Sequence, residues 1–503
     1  MFFAGCVFFL TAILFNQYGL LHPETGTYIP FHLSGKPLPE IIFNSNILEH
    51  APSTQARELS YIVDHFDVLM LAKSVQYGFP LFIPASNFIF TTIFGVILFG
   101  FFTKAFQLGR LESALLVLAF WATPHAYIML IYRSAKPGAG FFCVLLLMLV
   151  YLAIKKLREQ DLQELRAGGE KAGETGPGWR RNALLFACGV VLSMFDLQGL
   201  YLLAVTTIAV GIISFCMRSR RMTGILWPLV SAIIVHLFYF FIALPFLAAH
   251  FGNCTVIYSY NKLDLFMILT GGIKAGMESL GMFVNLMLFS FGNLPAFPFA
   301  LLILGVFVFL IQHDEKQTRY CKDPRPRGGL LPVFIFAFFA IWAMFFGMYM
   351  KLAAISWPDF QRWFYGVPTV MCIFFLSGML AGLVRAPAAK TAVRVALFLI
   401  LLFNIAALPG HLSQFRSGYF SNAAMASPYM RDALLNVYNQ NYKPNPILYS
   451  SIYIYTGPDR AGNVFVQNGV LTNKVTIYDS LRKYALEHSW ATQPLHVNMH
   501  PAP

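Results

Sequence analysis

Runs of about 18 residues or more that are nearly free of charge recur along most of this chain, and each is long enough to cross a hydrocarbon layer of about 30 Å as a helix. A water-soluble domain has no use for so many continuous apolar segments, and one signal peptide does not account for them. Composition agrees: of 503 residues, 57% are hydrophobic and only 12% charged, 51 are Phe, and the mean hydropathy is +0.61. The expected fold class is therefore mainly α, a polytopic membrane helical bundle of about 11 spans with extracytoplasmic loop helices and a small C-terminal α/β domain.

The net charge of +13 raises the question of a polyanion partner, but the Lys and Arg residues cluster in short connections between apolar runs. That distribution marks the cytoplasmic side of a membrane protein, and no nucleic-acid partner is expected. Spans are expected at 2–18, 88–104, 112–131 and 139–154, then as the pair "NALLFACGVVLSMF" and "GLYLLAVTTIAVGIISF", then at 225–247, 297–311, 331–350, 365–384 and 393–409. Met1-Phe2-Phe3 lacks the basic flank expected before a first span, which leaves room for an upstream start. The basic loops at 104–110, 155–181, 217–221, 313–327 and 385–394 fall on one side only if the Gly-broken stretch 263–292, with Lys274 and Glu278 inside it, is interfacial or re-entrant. This places the 19–85 loop and the tail outside, and makes 155–181 a cytoplasmic linker.

Two domains follow, a membrane domain at 1–409 and an extracytoplasmic tail at 410–503. Between Asn445 and Trp490 the tail alternates β-branched and aromatic residues with polar ones and carries Gly-Pro and Asn-Gly turn signals. A small α/β unit is expected there. The seven cysteines are scattered, mostly within apolar runs and with no close CxxC pair, and read as packing residues.

One stretch of the outer loop, "STQARELSYIVDHFD", carries charge in a chain that otherwise avoids it. Taken as a helix, it puts Leu59, Ile62, Val63, Phe66 and Met70 on one face and Arg57, Tyr61, Asp64, His65 and Asp67 on the other, with Glu58 at the edge. Such a helix lies on the outer membrane surface with its charged face toward a polar cavity, unless its charges are merely solvated. Span ends bring more polar groups to the same face: Arg133 and Lys136 in "IYRSAKPG", Asp196 and Gln198 in the turn between the paired spans, and Asp359 and Arg362 in "SWPDFQRWFYGVP". His125 sits partly inside its span; the convergence of these charges points to a site, with lipid headgroup contact as the alternative role for Arg133 and Lys136. If these groups form a catalytic site, a carboxylate serves as general base and the cations hold a phosphate. Walker-type, His-Glu-x-x-His and Gly-x-Ser-x-Gly patterns are missing, so nucleotide hydrolysis, zincin chemistry and serine hydrolysis have no sequence support.

With these residues in order, the chain resembles the GT-C class of integral-membrane glycosyltransferases that use polyprenyl-phosphate-linked sugars. It is most similar to members related to protein O-mannosyltransferases with tetratricopeptide tails. "ARELSYIVDHFD" resembles the family's Arg-Pro-Leu-Ser/Thr element at Arg57, Leu59 and Ser60, with Glu58 replacing the proline. "FWATPHAYIMLIYRSAKPG" looks like its Pro-x-His-type element followed by an Arg; "LSMFDLQGLYLL" is similar to its Lys-Glu-Gln-Gly turn, with Asp196 where Glu is common; and "DFQRWFYGVP" resembles its Arg-Tyr-x-x-Pro element at Arg362 and Tyr365.

The resemblance covers residues 1–370 and implies transfer of a sugar from a polyprenyl-phosphate donor to an extracytoplasmic protein, glycan or lipid acceptor. It also implies a base among Glu24, Glu58 and Asp64, and substrate-binding roles for Arg57, Asp67, His125, Arg133, Lys136, Asp196, Gln198, Arg362 and Tyr365. No cofactor is called for, and a divalent metal stays open. The family's acidic residue after the first span is commonly Asp, whereas here Glu24 stands in that place, and the tail has no tetratricopeptide repeat. A multi-span transporter, or a non-catalytic scaffold in envelope assembly, is the alternative. The transporter predicts internal repeats and broken helices in matched positions, and the sequence shows no repeat.

Overall fold

A computed structural model describes residues 36–48, 57–76, 85–123, 125–126, 129, 135–166, 178–216, 220–252, 330–353, 366–383, 387–415, 451–456 and 496–501, with Gly5, Ser279 and Phe283. Eleven helices dominate the described residues. They are α1 (Leu38–Leu48), α2 (Glu58–Gln76), α3 (Ala85–Lys104), α4 (Arg110–Trp121), α5 (Ala135–Arg166), α6 (Trp179–Ser193) and α7 (Leu197–Cys216). The eighth, α8, runs from Arg220–Phe238 through a π-helical turn at Tyr239–Ala243 into Leu244–Gly252; then come α9 (Leu330–Ala353), α10 (Val367–Leu383) and α11 (Pro387–Phe415). Ser451–Thr456 and His496–Pro501 pair as two parallel strands, and the rest of the expected C-terminal α/β domain lies outside the described residues.

Four helical stretches, Ala85–Lys104, Lys136–Leu157, Leu197–Phe215 and Thr223–Phe251, are long and apolar enough to cross a membrane, and Val333–Gly347, Val367–Leu383 and Val393–Pro409 are shorter apolar helices. The chain is a multi-pass membrane protein. Its outward surface supports this assignment, because Phe215, Phe246 and Phe403 are 84%, 70% and 66% exposed in apolar helices, an arrangement that lipid tolerates and water does not. The spans expected at 2–18 and 297–311 lie outside the described residues.

Two helices depart in extent from the sequence reading, each for a local reason. The span expected over 112–131 stops as a regular helix at Trp121, with Ala122 and Thr123 in a turn just ahead of Pro124, whose ring disfavours helical geometry in the residue before it. Of the linker expected over 155–181, "KKLREQDLQELR" continues α5 as far as Arg166. Lys, Glu, Gln, Leu and Arg are strong helix formers, so a polar extension beyond the membrane keeps the helix going.

Inside the bilayer, apolar burial drives helix association far less than in water, so close packing carries the load. The α6–α7 hairpin packs on α8, α7 also on α9, α5 against α10, and α11 along α4. Phe101, Phe106, Tyr151 and Phe375 meet edge-on or tilted at 5.1–5.8 Å between ring centroids. Gly140 lets α5 approach α10: a Cβ there would sit 3.1 Å from the Pro368 Cα, a backbone atom that cannot swing away.

Candidate functional site

The site forms where the start of α2, the start of α5 and the α6–α7 turn meet. Asp196 fills that turn, and its position is dictated locally: as the residue before α7, it caps the helix, its Oδ1 accepting from the Gln198 backbone N–H at 3.0 Å. Its other oxygen is left to a charge partner. Lys136, in the first turn of α5, donates to Asp196 Oδ2 at 2.6 Å, and the Arg57 guanidinium lies 3.8 Å from the same oxygen. These side chains are hidden, 1% exposed for Asp196, 4% for Lys136 and 12% for Arg57.

Burial alone would push the Asp196 carboxyl up, but Lys136 and Arg57 more than offset it and hold the group down at about 2. Asp196 is therefore ionised at any physiological pH, with two basic side chains on one carboxylate. Beside it, the Gln198 side chain is buried with neither its amide nitrogen nor its oxygen hydrogen-bonded among the described residues. A buried amide without partners is a ready donor and acceptor for a polar ligand.

Glu58 follows Arg57 directly and opens α2. It is 4% exposed, and neither oxygen reaches a fully formed hydrogen bond among the described residues. Burial pushes its pKa up to about 7; its own backbone N–H and the Tyr239 hydroxyl pull the other way without cancelling that cost. Tyr239 begins the π-helical turn of α8, and Pro245 just after that turn explains the irregularity, since a proline ring clashes with the carbonyl four residues back. Such turns re-aim side chains and recur at functional sites.

Helix α2 is inside out. Ile62, Phe66, Leu69 and Met70 are exposed, while Glu58, Ser60, Tyr61, Asp64, Asp67 and Val68 are buried against the protein. The charged arc expected from the sequence is thus the inward face, with His65 only half-buried. About 13 Å along the helix axis from Glu58, at 1.5 Å per residue, Asp67 is committed elsewhere: it accepts from the Ser86 N–H at 2.7 Å and from Ser86 Oγ at 2.6 Å, capping the start of α3. Burial raises its pKa to about 7 against those bonds, and the nearby Asp64 charge adds to the rise.

Of the residues the sequence singled out, Arg57, Lys136 and Asp196 share one cluster, with Glu58 and Gln198 adjoining them in the chain. Lys136 is turned inward rather than toward headgroups. Asp64 and Asp67 lie further along α2, and His125 is fully buried just past the Thr123 turn, where Thr123 Oγ1 accepts from the Ala126 N–H at 3.2 Å. Glu24, Arg133, Arg362 and Tyr365 lie outside the described residues. Sequence reasoning missed Tyr239, one aromatic among many in an apolar run, and Ser86, whose place at a helix start was a readable signal for a capping role.

Chemically, the arrangement offers two basic side chains on one carboxylate, an unmatched amide two residues on from that carboxylate, and, next to Arg57 in the chain, a buried carboxyl with its pKa raised to about 7. Among the described residues, no group of three or more His, Cys, Asp or Glu side chains is placed to hold a metal ion. No family model matches this chain, and neither a curated protein nor a solved structure is similar to it.

Proposed function

We propose that this protein is a membrane glycosyltransferase of the GT-C type, moving a sugar from a polyprenyl-phosphate donor to an extracytoplasmic protein, glycan or lipid acceptor. It would sit in the cell inner membrane with the site and the C-terminal residues on the periplasmic side. The observation that carries the reading is Glu58, a buried carboxyl with its pKa raised to about 7, directly following in the chain the Arg57 that joins Lys136 on Asp196.

In the proposed reaction an acceptor hydroxyl oxygen forms a bond to the anomeric carbon while the bond from that carbon to the phosphate oxygen breaks. The hydroxyl proton passes to the Glu58 carboxylate, and the electron pair of the broken bond leaves with polyprenyl phosphate. Arg57, whose planar fork suits phosphate oxygens, binds the leaving group, and Lys136 adds positive charge where negative charge develops. Asp196 keeps both cations in place. A base with a pKa near the working pH is well matched to this step.

The test offers purified protein radiolabelled polyprenyl-phosphate sugars and envelope extract. Label should move to an acceptor with the wild type, fall by at least about a hundredfold with Glu58→Gln, in line with loss of a general base, and fall strongly with Arg57→Ala. Undiminished transfer in both variants would remove the site assignment. Donor translocation without any transfer would make the protein a transporter instead.

A further inference from the structure

Helices α5 and α10 meet near their starts. A Cβ on Gly140 would sit 3.1 Å from the Pro368 Cα, so the two Cα atoms are no more than about 4.6 Å apart, one carbon–carbon bond further. From that contact both helices run the same way, because Tyr151 of α5 and Phe375 of α10 pack on one ring, Phe106, at 5.1 and 5.5 Å between centroids.

One turn along this seam each helix carries a cysteine. Cys143 comes three residues after Gly140 and Cys372 four after Pro368, the spacings that return a side chain to the same helix face. Register therefore turns both thiols toward the seam. Both are free and fully buried, and their sulfurs share a hydrogen bond. A third thiol approaches from α6, but Cys188 Sγ donates to the Phe142 carbonyl at 3.7 Å, which leaves Cys143 and Cys372 to each other.

A small apolar residue would fill either place as well, so packing by itself has no need of two sulfurs in contact across a tight seam. A disulfide joins Cα atoms about 4.4–6.8 Å apart. Helices about 4.6 Å apart at one contact, diverging at about 20°, separate by only about 2 Å over the next turn. The backbone is thus already spaced for a bridge at these two positions. Further along the same seam lies an apolar cavity of about 40 Å³, bordered by Leu147 and Val150 of α5 and by Phe375 and Met379 of α10. It has room for a molecule the size of water. Leu147 is one turn on from Cys143 and Phe375 one turn on from Cys372, so a small oxidant held there is close to both thiols, while larger reagents are kept out.

We propose that Cys143 and Cys372 are a peroxide-oxidisable thiol pair that closes to a disulfide and staples α5 to α10 inside the bundle. In the first step one sulfur forms a bond to an oxygen of hydrogen peroxide as the O–O bond breaks; the thiol proton goes to the departing oxygen, which leaves as water, and a sulfenic acid remains. The second sulfur then attacks the first. The S–S bond forms, the S–O bond breaks, and the hydroxyl leaves with the second thiol proton as another water. Two electrons pass from the thiols to the peroxide. This assignment is independent of the transferase reading, because it uses no residue of the Asp196 cluster.

The full-length protein, purified in detergent and freshly reduced, is treated with graded hydrogen peroxide, quenched in acid, denatured with an alkylating reagent and mapped by peptide mass spectrometry. A peptide carrying Cys143 joined to one carrying Cys372, lighter than the pair by two hydrogens, should become the main form of both residues. Cys188→Ala should leave that bridge in place. Oxidised wild type should melt above the reduced protein and return to its value with reductant, since the bridge restrains the unfolded chain, whereas Cys143→Ala should show no such reversible rise. If Cys143→Ala does not fold, the wild-type peptide map still decides the matter. Recovery of Cys143 and Cys372 unlinked, as thiols or as sulfinic acids, overturns the proposal; so does a bridge from either of them to any other cysteine, or a bridge between them that forms only after the protein is unfolded in SDS.

Discussion

Replacing Asp196 by Asn keeps the cap, because the amide oxygen can still accept from the Gln198 N–H, but it removes the charge that Lys136 touches at 2.6 Å and Arg57 at 3.8 Å. Two estimates bracket the cost. The Asp196 carboxyl titrates at about 2 against an ordinary 3.8, which corresponds to about 2 kcal/mol of stability, fully present above pH 4 or so and lost as pH falls through about 2. Substitution should cost more, about 3–5 kcal/mol, because it strands Lys136, only 4% exposed, without its counter-ion. Lys136→Met leaves Asp196 with Arg57 alone and should cost a similar amount. The double variant Lys136→Met/Asp196→Asn removes both charges together, so its cost should fall short of the sum of the singles by about 2–3 kcal/mol. Reversible unfolding in mixed micelles of a mild detergent and SDS measures all four corners of this cycle. Singles that add to within about 0.5 kcal/mol would refute the claim that these two charges stabilise each other.

Three further outcomes follow from the same geometry. Glu58 holds its proton up to about pH 7 in the folded state but only to about 4.5 when unfolded, so it makes the protein less stable as pH rises between those values; Glu58→Gln should therefore raise the melting temperature at pH 8 but not at pH 4, by the equivalent of about 3 kcal/mol or less, and a gain equal at both pH values would refute the burial argument. Gly140→Val, which drives side-chain atoms into the Pro368 backbone, should cost about 1–3 kcal/mol by thermal unfolding in detergent, whereas Gly100→Ala, where an added Cβ meets nothing within 4 Å inside a helix, should be as stable as the wild type or up to about 1 kcal/mol more so. Spin labels replacing Phe66 and Met70 should relax faster with oxygen than with a water-soluble nickel chelate in liposomes, because the exposed face of α2 lies in lipid; the reverse would put that face in water.

The membrane class and the two faces of α2 were legible in the sequence, since both rest on periodicity and run length, properties of neighbours along the chain. Asp196 was legible as a turn residue, and Arg57 through its setting in a charged stretch. What a residue does across the fold was not. Lys136, at a span end, reads locally as a site residue or a headgroup contact, and nothing local names its partner: it meets Asp196 across 60 residues of sequence because α5 starts beside the α6–α7 turn. Asp67 reads as one more acid on a polar face, yet it caps α3 through Ser86. Tyr239 carries no local mark, and only the π-helical turn ahead of Pro245 brings it to Glu58. The physical reason is common to all three. Apolar helices are nearly alike in their outward chemistry, so local pattern determines that they form and where they stop, while side-chain packing at particular places, such as Gly140 against Pro368, decides which ends become neighbours and hence which charges meet.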